Sequence, residues 1–202
     1  PGNMVMDGLV AEITGGEKSF DEDGSISSAG EVNDTLLRDL MGHPYFDEPP
    51  PKATGREMFG QVYVEEMIKK GSELGVEGED LVATAMALTA HTIAYSYKHF
   101  VFPRHPVEEV LLCGGGARNR TLRGMLEELL QPVRIGNTDD HGIPPDYLEA
   151  VTFAILANEA MHGQAANLPS VTGARRSVVL GKIVPGDNFR SLLKAVDREP
   201  RS

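Results

Sequence analysis

Leu111-Leu112-Cys113-Gly114-Gly115-Gly116-Ala117-Arg118-Asn119 is the stretch on which the reading of this chain turns. Val110 to Cys113 is a short apolar run bounded by turn signals, the pattern of a buried strand. Three glycines break it, and Asn119 opens a helix that runs to about Leu130. A glycine loop between a strand and a helix lets a planar or charged ligand approach the backbone, and the start of the helix offers free N–H groups. The alternative is a plain turn that binds nothing, but three successive glycines lose much backbone entropy for a turn alone. Gly114-x-Gly116-x-x-Asn119 also approximates a dinucleotide fingerprint, with Asp139 or Asp140 after the next strand, where a ribose-binding acid belongs. Asn119 in place of the third glycine weakens that reading.

Working outward, Val133-Arg134-Ile135-Gly136 reads as a second strand, Pro145 to Met161 as a helix and Val178 to Ile183 as a late edge strand. Upstream, Met4 to Ile13 has apolar residues at helical spacing and ends at Gly15-Gly16. Residues 15–30 are rich in Gly, Ser and Asp and read as a loop. Helices are expected at about 31–41, 56–72 and 79–100, the last apolar nearly all round and therefore buried on several sides. Pro44 to Lys52 carries four prolines and is expected to be extended rather than helical. Strands alternating with helices imply α/β layering. Two or three strands are few for a sheet that must cover several helices. The missing strands are expected upstream of Pro1; Pro1-Gly2-Asn3 is loop chemistry that reads like the middle of a fold, and no secretory leader is expected.

Composition narrows the function. The 202 residues are 41% hydrophobic and 24% charged, with 19 Lys+Arg against 30 Asp+Glu. A formal net charge of −11 argues against nucleic acid or an anionic membrane as partner, because such surfaces require clustered cations. No apolar stretch approaches the roughly 18–20 residues of a membrane helix. The lone Cys113 excludes an internal disulfide and suits a reducing compartment; at a strand end it is expected to be buried. No Cys/His group has zinc spacing and no Gly-x-Ser-x-Gly elbow is present. Glu149 sits early in an apolar helix, where a carboxylate suits the positive end of the dipole, and His141 is a lone loop histidine. Arg56 could clamp an anion with its planar fork; Thr54 and Glu57 also have the spacing of a capping box, which leaves Gly55 and Arg56 unexplained.

Taken in order, five segments resemble the C-terminal part of the anhydro-N-acetylmuramic acid kinases of the sugar kinase/hsp70/actin superfamily. They are Pro1-Gly2-Asn3-Met4; Tyr45-Phe46 with Pro51-Lys52-Ala53-Thr54-Gly55-Arg56-Glu57; Cys113 to Asn119; Glu149-Ala150-x-x-Phe153-Ala154; and Asn167 to Ala174. The tail from Val179 to Arg190 looks like fungal relatives, which include levoglucosan kinases. The resemblance implies that residues 1–202 form part of a kinase, mainly the C-terminal lobe, with a ribonuclease-H-like, actin-like ATPase fold cut short at its N-terminus. It implies transfer of the γ-phosphate of ATP, with Mg2+, to a 1,6-anhydro sugar, with hydrolytic ring opening to the 6-phosphosugar. Gly114, Gly115, Gly116 and Asn119 would line the adenosine side. Gly2 and Asn3 would end an Asp-Thr-Gly-Pro-Gly-Asn loop, and Glu149 and Arg56 would lie near the sugar. The family's water-activating aspartate falls just upstream of the position of Pro1, so these residues alone are expected not to turn over. A cytoplasmic homodimer is the implied setting of the full-length protein, and a non-catalytic nucleotide-binding or dimerisation module is the alternative.

Overall fold

Gly78–Ser96 forms the helix that organises the chain. It is α5 in a computed structural model that describes residues 1–196. Its alanines at 83, 85, 87, 90 and 94 are all buried, and side chains this small let neighbouring helices approach on every side. Three buried threonines satisfy themselves locally or tie loops down. Thr84 Oγ1 donates to Asp80 O at 2.7 Å and accepts from Asn33 N at 3.0 Å. Thr89 Oγ1 donates to Gly2 O at 3.0 Å, and Thr92 Oγ1 to Thr89 O at 3.0 Å.

Around it pack α1 (Met4–Ile13), α2 (Asp34–Met41), α4 (Gln61–Leu74) and α6 (Arg120–Leu129), with the single-turn α3 (Arg56–Phe59) ahead of α4. The helix expected at 56–72 is broken at Gly60, where a Cβ would lie 2.2 Å from Arg56 O. Only glycine permits that corner. Gly55, and not Thr54, stands at the cap of α3, with no side-chain cap bond, so the expected capping box does not form. Asn33 does cap α2, accepting from Leu36 N at 3.0 Å.

Pro44–Asp47 is a 3-10 turn rather than extended chain. Pro44 sits at its first position, where a missing N–H deprives no partner, and His43 Nδ1 accepts from Tyr45 N at 3.3 Å. Lys52 then reaches back, donating to Tyr45 O at 2.9 Å and Phe46 O at 3.0 Å. The helix expected to reach residue 100 ends at Ser96 and continues through a wider π-type turn, Tyr97–Val101.

Strands β1 (Glu109–Leu112) and β2 (Arg134–Asn137) pair in parallel, with Val110 opposite Ile135 and Leu112 opposite Asn137. The connection between them is α6, the crossover that parallel pairing requires. The molecule is therefore α/β with a small sheet, as read from the sequence. The edge strand expected at 178–183 does not form. Asn167 Oδ1 instead accepts from Val178 N at 2.6 Å, and Ala166 N donates to Val178 O at 3.2 Å. Both backbone groups of Val178 are thus committed to a loop.

The chain divides into two compact units, the first ending at Asp146 and the second beginning at Tyr147. Every buried apolar side chain among the described residues belongs to the first. The second unit contains α7 (Leu148–Met161), α8 (Pro169–Thr172) and α9 (Phe189–Val196). It leaves large apolar groups exposed, Phe153 at 70% and Ile155 at 57%. No helix among the described residues is long and apolar enough to cross a membrane.

Candidate functional site

β1 delivers the chain into the glycine turn. Gly114 takes φ +67°, which no side chain adopts comfortably, and its N–H donates to Pro145 O at 3.2 Å. Gly115–Arg118 makes one 3-10 turn, and Asn119 then caps α6, accepting from Leu122 N at 2.9 Å. Cys113, expected to be buried, is exposed because the strand pairing stops at Leu112.

The Pro-Gly-Asn turn meets this loop in space. Gly2, at φ +64°, is held to α5 by Thr89, and Asn3 begins α1 without using its side chain as a cap. That side chain lies over the glycines instead: a Cβ on Gly116 would stand 3.4 Å from Asn3 Oδ1 and 3.6 Å from Asn3 Nδ2. Two segments picked out separately in the sequence thus form one wall.

A cleft of about 550 Å³ opens against that wall, lined by Asn3, Asp7, Asp21, Gly115, Arg118 and Asn119 among others. Its opposite side is the 20–30 loop, which is far more ordered than its composition suggests. Asp21 is buried and acts as the hub: Oδ1 accepts from Ile26 N at 2.7 Å, and Oδ2 accepts from Ser27 N at 3.2 Å and Ser27 Oγ at 2.6 Å. Thr121 Oγ1 donates to Gly24 O at 3.0 Å and fastens the loop to α6.

The charges of the cleft are unequal in their partners. Arg118 pairs with Asp146, and both Asp21 oxygens are occupied. Asp7 is different. Its Oδ1 is buried with no hydrogen-bond partner, and no ion pair reaches it among the described residues. Burial, and after it the Asp21 charge, pushes the Asp7 carboxyl above its ordinary value. Asn3 and Asp7 are four residues apart, so they share one face of α1.

The expected site residues distribute as follows. Gly115 and Asn119 line the cleft, with Asn3 beside them. Asn119 is only 3% exposed and its side chain is used by the fold: besides capping α6, Nδ2 donates to Asp21 O at 3.5 Å. Gly114 and Gly116 shape the turn. Gly2 lines another hollow, with Lys52 and Tyr45. Arg56 is exposed and lines a third, of about 460 Å³, with Met4, Gln61 and Asp7. Asp7 is therefore common to the Arg56 hollow and the glycine cleft. Glu149 is exposed in the first turn of α7, in the second unit. Asp140, considered as a ribose-binding acid, accepts from Asn137 N at 3.0 Å and closes a 3-10 turn.

Asp7, Asp21 and Arg118 were not singled out from the sequence. The only signal for Asp7 is its i, i+4 relation to Asn3; Asp21 sits in a Ser/Gly/Asp tract whose composition conceals a structural hub.

Comparison with known proteins closes the description. The Anhydro-N-acetylmuramic acid kinase family model matches residues 1–186. An anhydro-N-acetylmuramic acid kinase of Caldanaerobacter subterraneus subsp. tengcongensis is 46% identical over 183 residues, 91% of this chain and 46% of that protein. Proteins of the same name from Clostridioides difficile and Salinibacter ruber are each 42% identical, over 185 and 187 residues, covering 92% of this chain and 47% of theirs. The chain spans about half the length of the curated relatives it matches.

Proposed function

This chain belongs to the anhydro-N-acetylmuramic acid kinase family, and on that premise we propose that it is part of a kinase acting on 1,6-anhydro-N-acetylmuramic acid. In the proposed reaction water attacks C1 of the sugar, the bond from C1 to the bridging O6 breaks, and O6 takes the γ-phosphoryl group of ATP. The proton lost by water goes to a base, and the products are the 6-phosphosugar and ADP. ATP as co-substrate puts the reaction in the cytoplasm. The small parallel sheet is read as belonging to an actin-like ATPase lobe.

The observation that carries the proposal is the meeting of the Pro-Gly-Asn turn with the Gly114–Gly116 turn at one cleft. An exposed glycine turn admits the flat face and ribose of a nucleotide, and Asn3 supplies a polar group directed at the same place. Phosphoryl transfer depends mainly on positioning and electrostatics, so a wall of this kind is a working part without holding the base. The resemblance puts the base just upstream of the position of Pro1, and we assign proton abstraction to the part of the relatives' length that this chain does not span. Arg56 and Glu149 are assigned to the sugar, and a homodimer would cover part of the apolar surface of the second unit. The relatives' names favour the amino sugar over levoglucosan.

Magnesium fits as the ion of the nucleotide. Among the described residues no three Cys, His, Asp or Glu side chains converge to build a cage, so the phosphates of the nucleotide would supply most of its inner ligands. Mg2+ keeps several waters and is commonly held by one or two carboxylates together with substrate phosphates.

The test is calorimetry of the 202-residue chain with Mg·ATP, followed by 31P NMR of the chain with ATP and either sugar. Nucleotide binding without turnover is expected here, and formation of the 6-phosphosugar from the amino sugar by a longer chain that includes the upstream aspartate. Failure to bind ATP would overturn the cleft assignment. Turnover of levoglucosan in preference to the amino sugar would overturn the substrate.

A further inference from the structure

Of the four threonine and serine hydroxyls of α5, three are spent within the helix. Thr84 Oγ1 donates to Asp80 O at 2.7 Å, Thr92 Oγ1 to Thr89 O at 3.0 Å and Ser96 Oγ to Thr92 O at 2.9 Å. A bond to a carbonyl three or four residues back is the usual recourse of a hydroxyl in a helix. Thr89, only 2% exposed, does not take it. Its hydroxyl leaves the helix and donates to Gly2 O at 3.0 Å, across 87 residues of sequence. Gly2 needs such a hold. The ladder of α1 begins one residue later, where Asn3 O accepts from Asp7 N at 2.8 Å, so the Gly2 carbonyl has no helical partner. At φ +64°, in a residue free to take either sign of φ, the turn has little stiffness of its own.

The glycine turn on the other side of the wall is fixed by separate means, through the bond from Gly114 N to Pro145 O and the Asn119 cap. Thr89 therefore bears on one segment of the cleft alone, the Pro-Gly-Asn turn. We infer that Thr89 is a positioning residue for the phosphoryl transfer: from the buried flank of α5 it fixes the point at which this turn meets the cleft, and with it the approach of the base that the kinase reading places just upstream. Water must lose its proton to that base as it attacks C1, while O6 takes the phosphoryl group, so the base has to stand at one place relative to both. A misplacement of about 1 Å is enough to cost roughly a hundredfold in rate, and a turn built on glycine does not hold that tolerance unaided. The inference rests on the kinase reading above and adds to it the residue that ties the turn to the core.

Steady-state kinetics of sugar phosphorylation, in a chain extended to the relatives' full length, test it with Thr89→Val, Thr89→Ser and Thr92→Val. Valine keeps the volume and removes the hydroxyl. Thr92, 5% exposed, supplies a matched control whose bond stays inside α5. Thr89→Val is expected to lower kcat by about 10–100-fold. KM for ATP and sugar should stay within about twofold, the signature of an interaction that counts only in the transition state. Thr89→Ser should recover most of the rate, and Thr92→Val should keep it while melting as low as Thr89→Val. A readout independent of activity is hydrogen exchange of the 202-residue chain: the Asp7 amide, bonded to Asn3 O, should exchange faster in Thr89→Val and not in Thr92→Val. Thr89→Ala, a residue that α5 already buries at positions 87 and 90, takes the place of valine if that variant does not fold. An undiminished kcat in Thr89→Val, an equal fall in Thr92→Val, or unaltered exchange at Asp7 would overturn the role of Thr89 and leave the kinase reading standing. If the unaltered extended chain phosphorylates neither sugar, the kinase reading itself falls and the Thr89 role with it.

Discussion

Replacing Asn119 by alanine distinguishes a residue that builds the cleft from one that merely faces it. The Asn119 side chain accepts from Leu122 N at 2.9 Å, and Leu122 itself is buried. Loss of an N-cap of this kind removes about 1 kcal/mol, and a buried N–H left without an acceptor raises the loss toward ~2–3 kcal/mol. The contact of Nδ2 with Asp21 O, at 3.5 Å, adds little, because Asp21 O also accepts from Gly24 N at 3.3 Å. At about 2–4 °C per kcal/mol for a chain of this size, Asn119→Ala should melt roughly 4–12 °C lower. Urea denaturation followed by circular dichroism measures the loss, and hydrogen exchange at the Leu122 amide localises it. Asn119→Asp keeps an acceptor at the cap and places a negative charge at the start of the helix, so it should recover all but about 1 kcal/mol. If Asn119→Ala denatures with the unaltered chain and the Leu122 amide stays protected, the capping role is refuted, and direct contact with nucleotide becomes the reason for the residue.

Three further outcomes are expected. Gly30→Ala would set a Cβ 2.2 Å from Glu79 O; backbone must shift, and a loss of about 1–3 kcal/mol or more should appear in the melting curve. Asp21→Ala strips the acceptor from Ile26 N and Ser27 N, so a loss of about 3 kcal/mol and early proteolytic cleavage within residues 20–30 are expected, with Asp21→Asn intermediate. Asp7 governs a pH effect whose sign is fixed by its raised carboxyl. A folded-state pKa above the unfolded value means that its stabilising share is complete below the ordinary 3.8 and is lost as pH climbs through the raised value. Asp7→Asn should therefore equal or exceed the unaltered chain in melting temperature at neutral pH, with that advantage shrinking toward pH 4; a variant that melts lower at every pH would contradict this.

The sequence foretold the pieces governed by local chemistry. Val110 to Leu112 and Arg134 to Gly136 were legible as strands because short apolar runs between turn residues have few other uses, and the burial of α5 followed from its apolar circumference. What escaped was decided by single contacts with distant residues. Gly60 breaks a helix that its neighbours would continue, since the corner depends on the Arg56 carbonyl. Val178 to Ile183 has strand composition, yet Asn167 Oδ1 takes the Val178 N–H and Ala166 N takes its carbonyl, the backbone groups a neighbouring strand would need. Pro44 misled in the opposite direction: proline stops a helix from continuing but does not stop one from starting.

At the cleft the same division separates what glycine reveals from what a carboxylate conceals. Glycine is conspicuous in sequence because its presence implies a backbone that other residues cannot follow, and Gly114 at φ +67° is such a case. An aspartate carries no comparable mark. Asp7, Asp21 and Asp146 look alike in sequence, and only the structure shows that one is saturated by N–H donors, one is paired with Arg118 and one has an oxygen with no partner. The first two arrangements are sufficiently explained by folding. The third lowers stability, because burial removes the hydrogen bonds water would give that oxygen and the fold supplies none in their place. For this reason Asp7→Asn is expected to hold or gain stability at neutral pH, where the charged carboxylate is the costlier form to bury. A carboxylate on which the fold depends would show the reverse, and melting curves at neutral and acidic pH decide which kind Asp7 is.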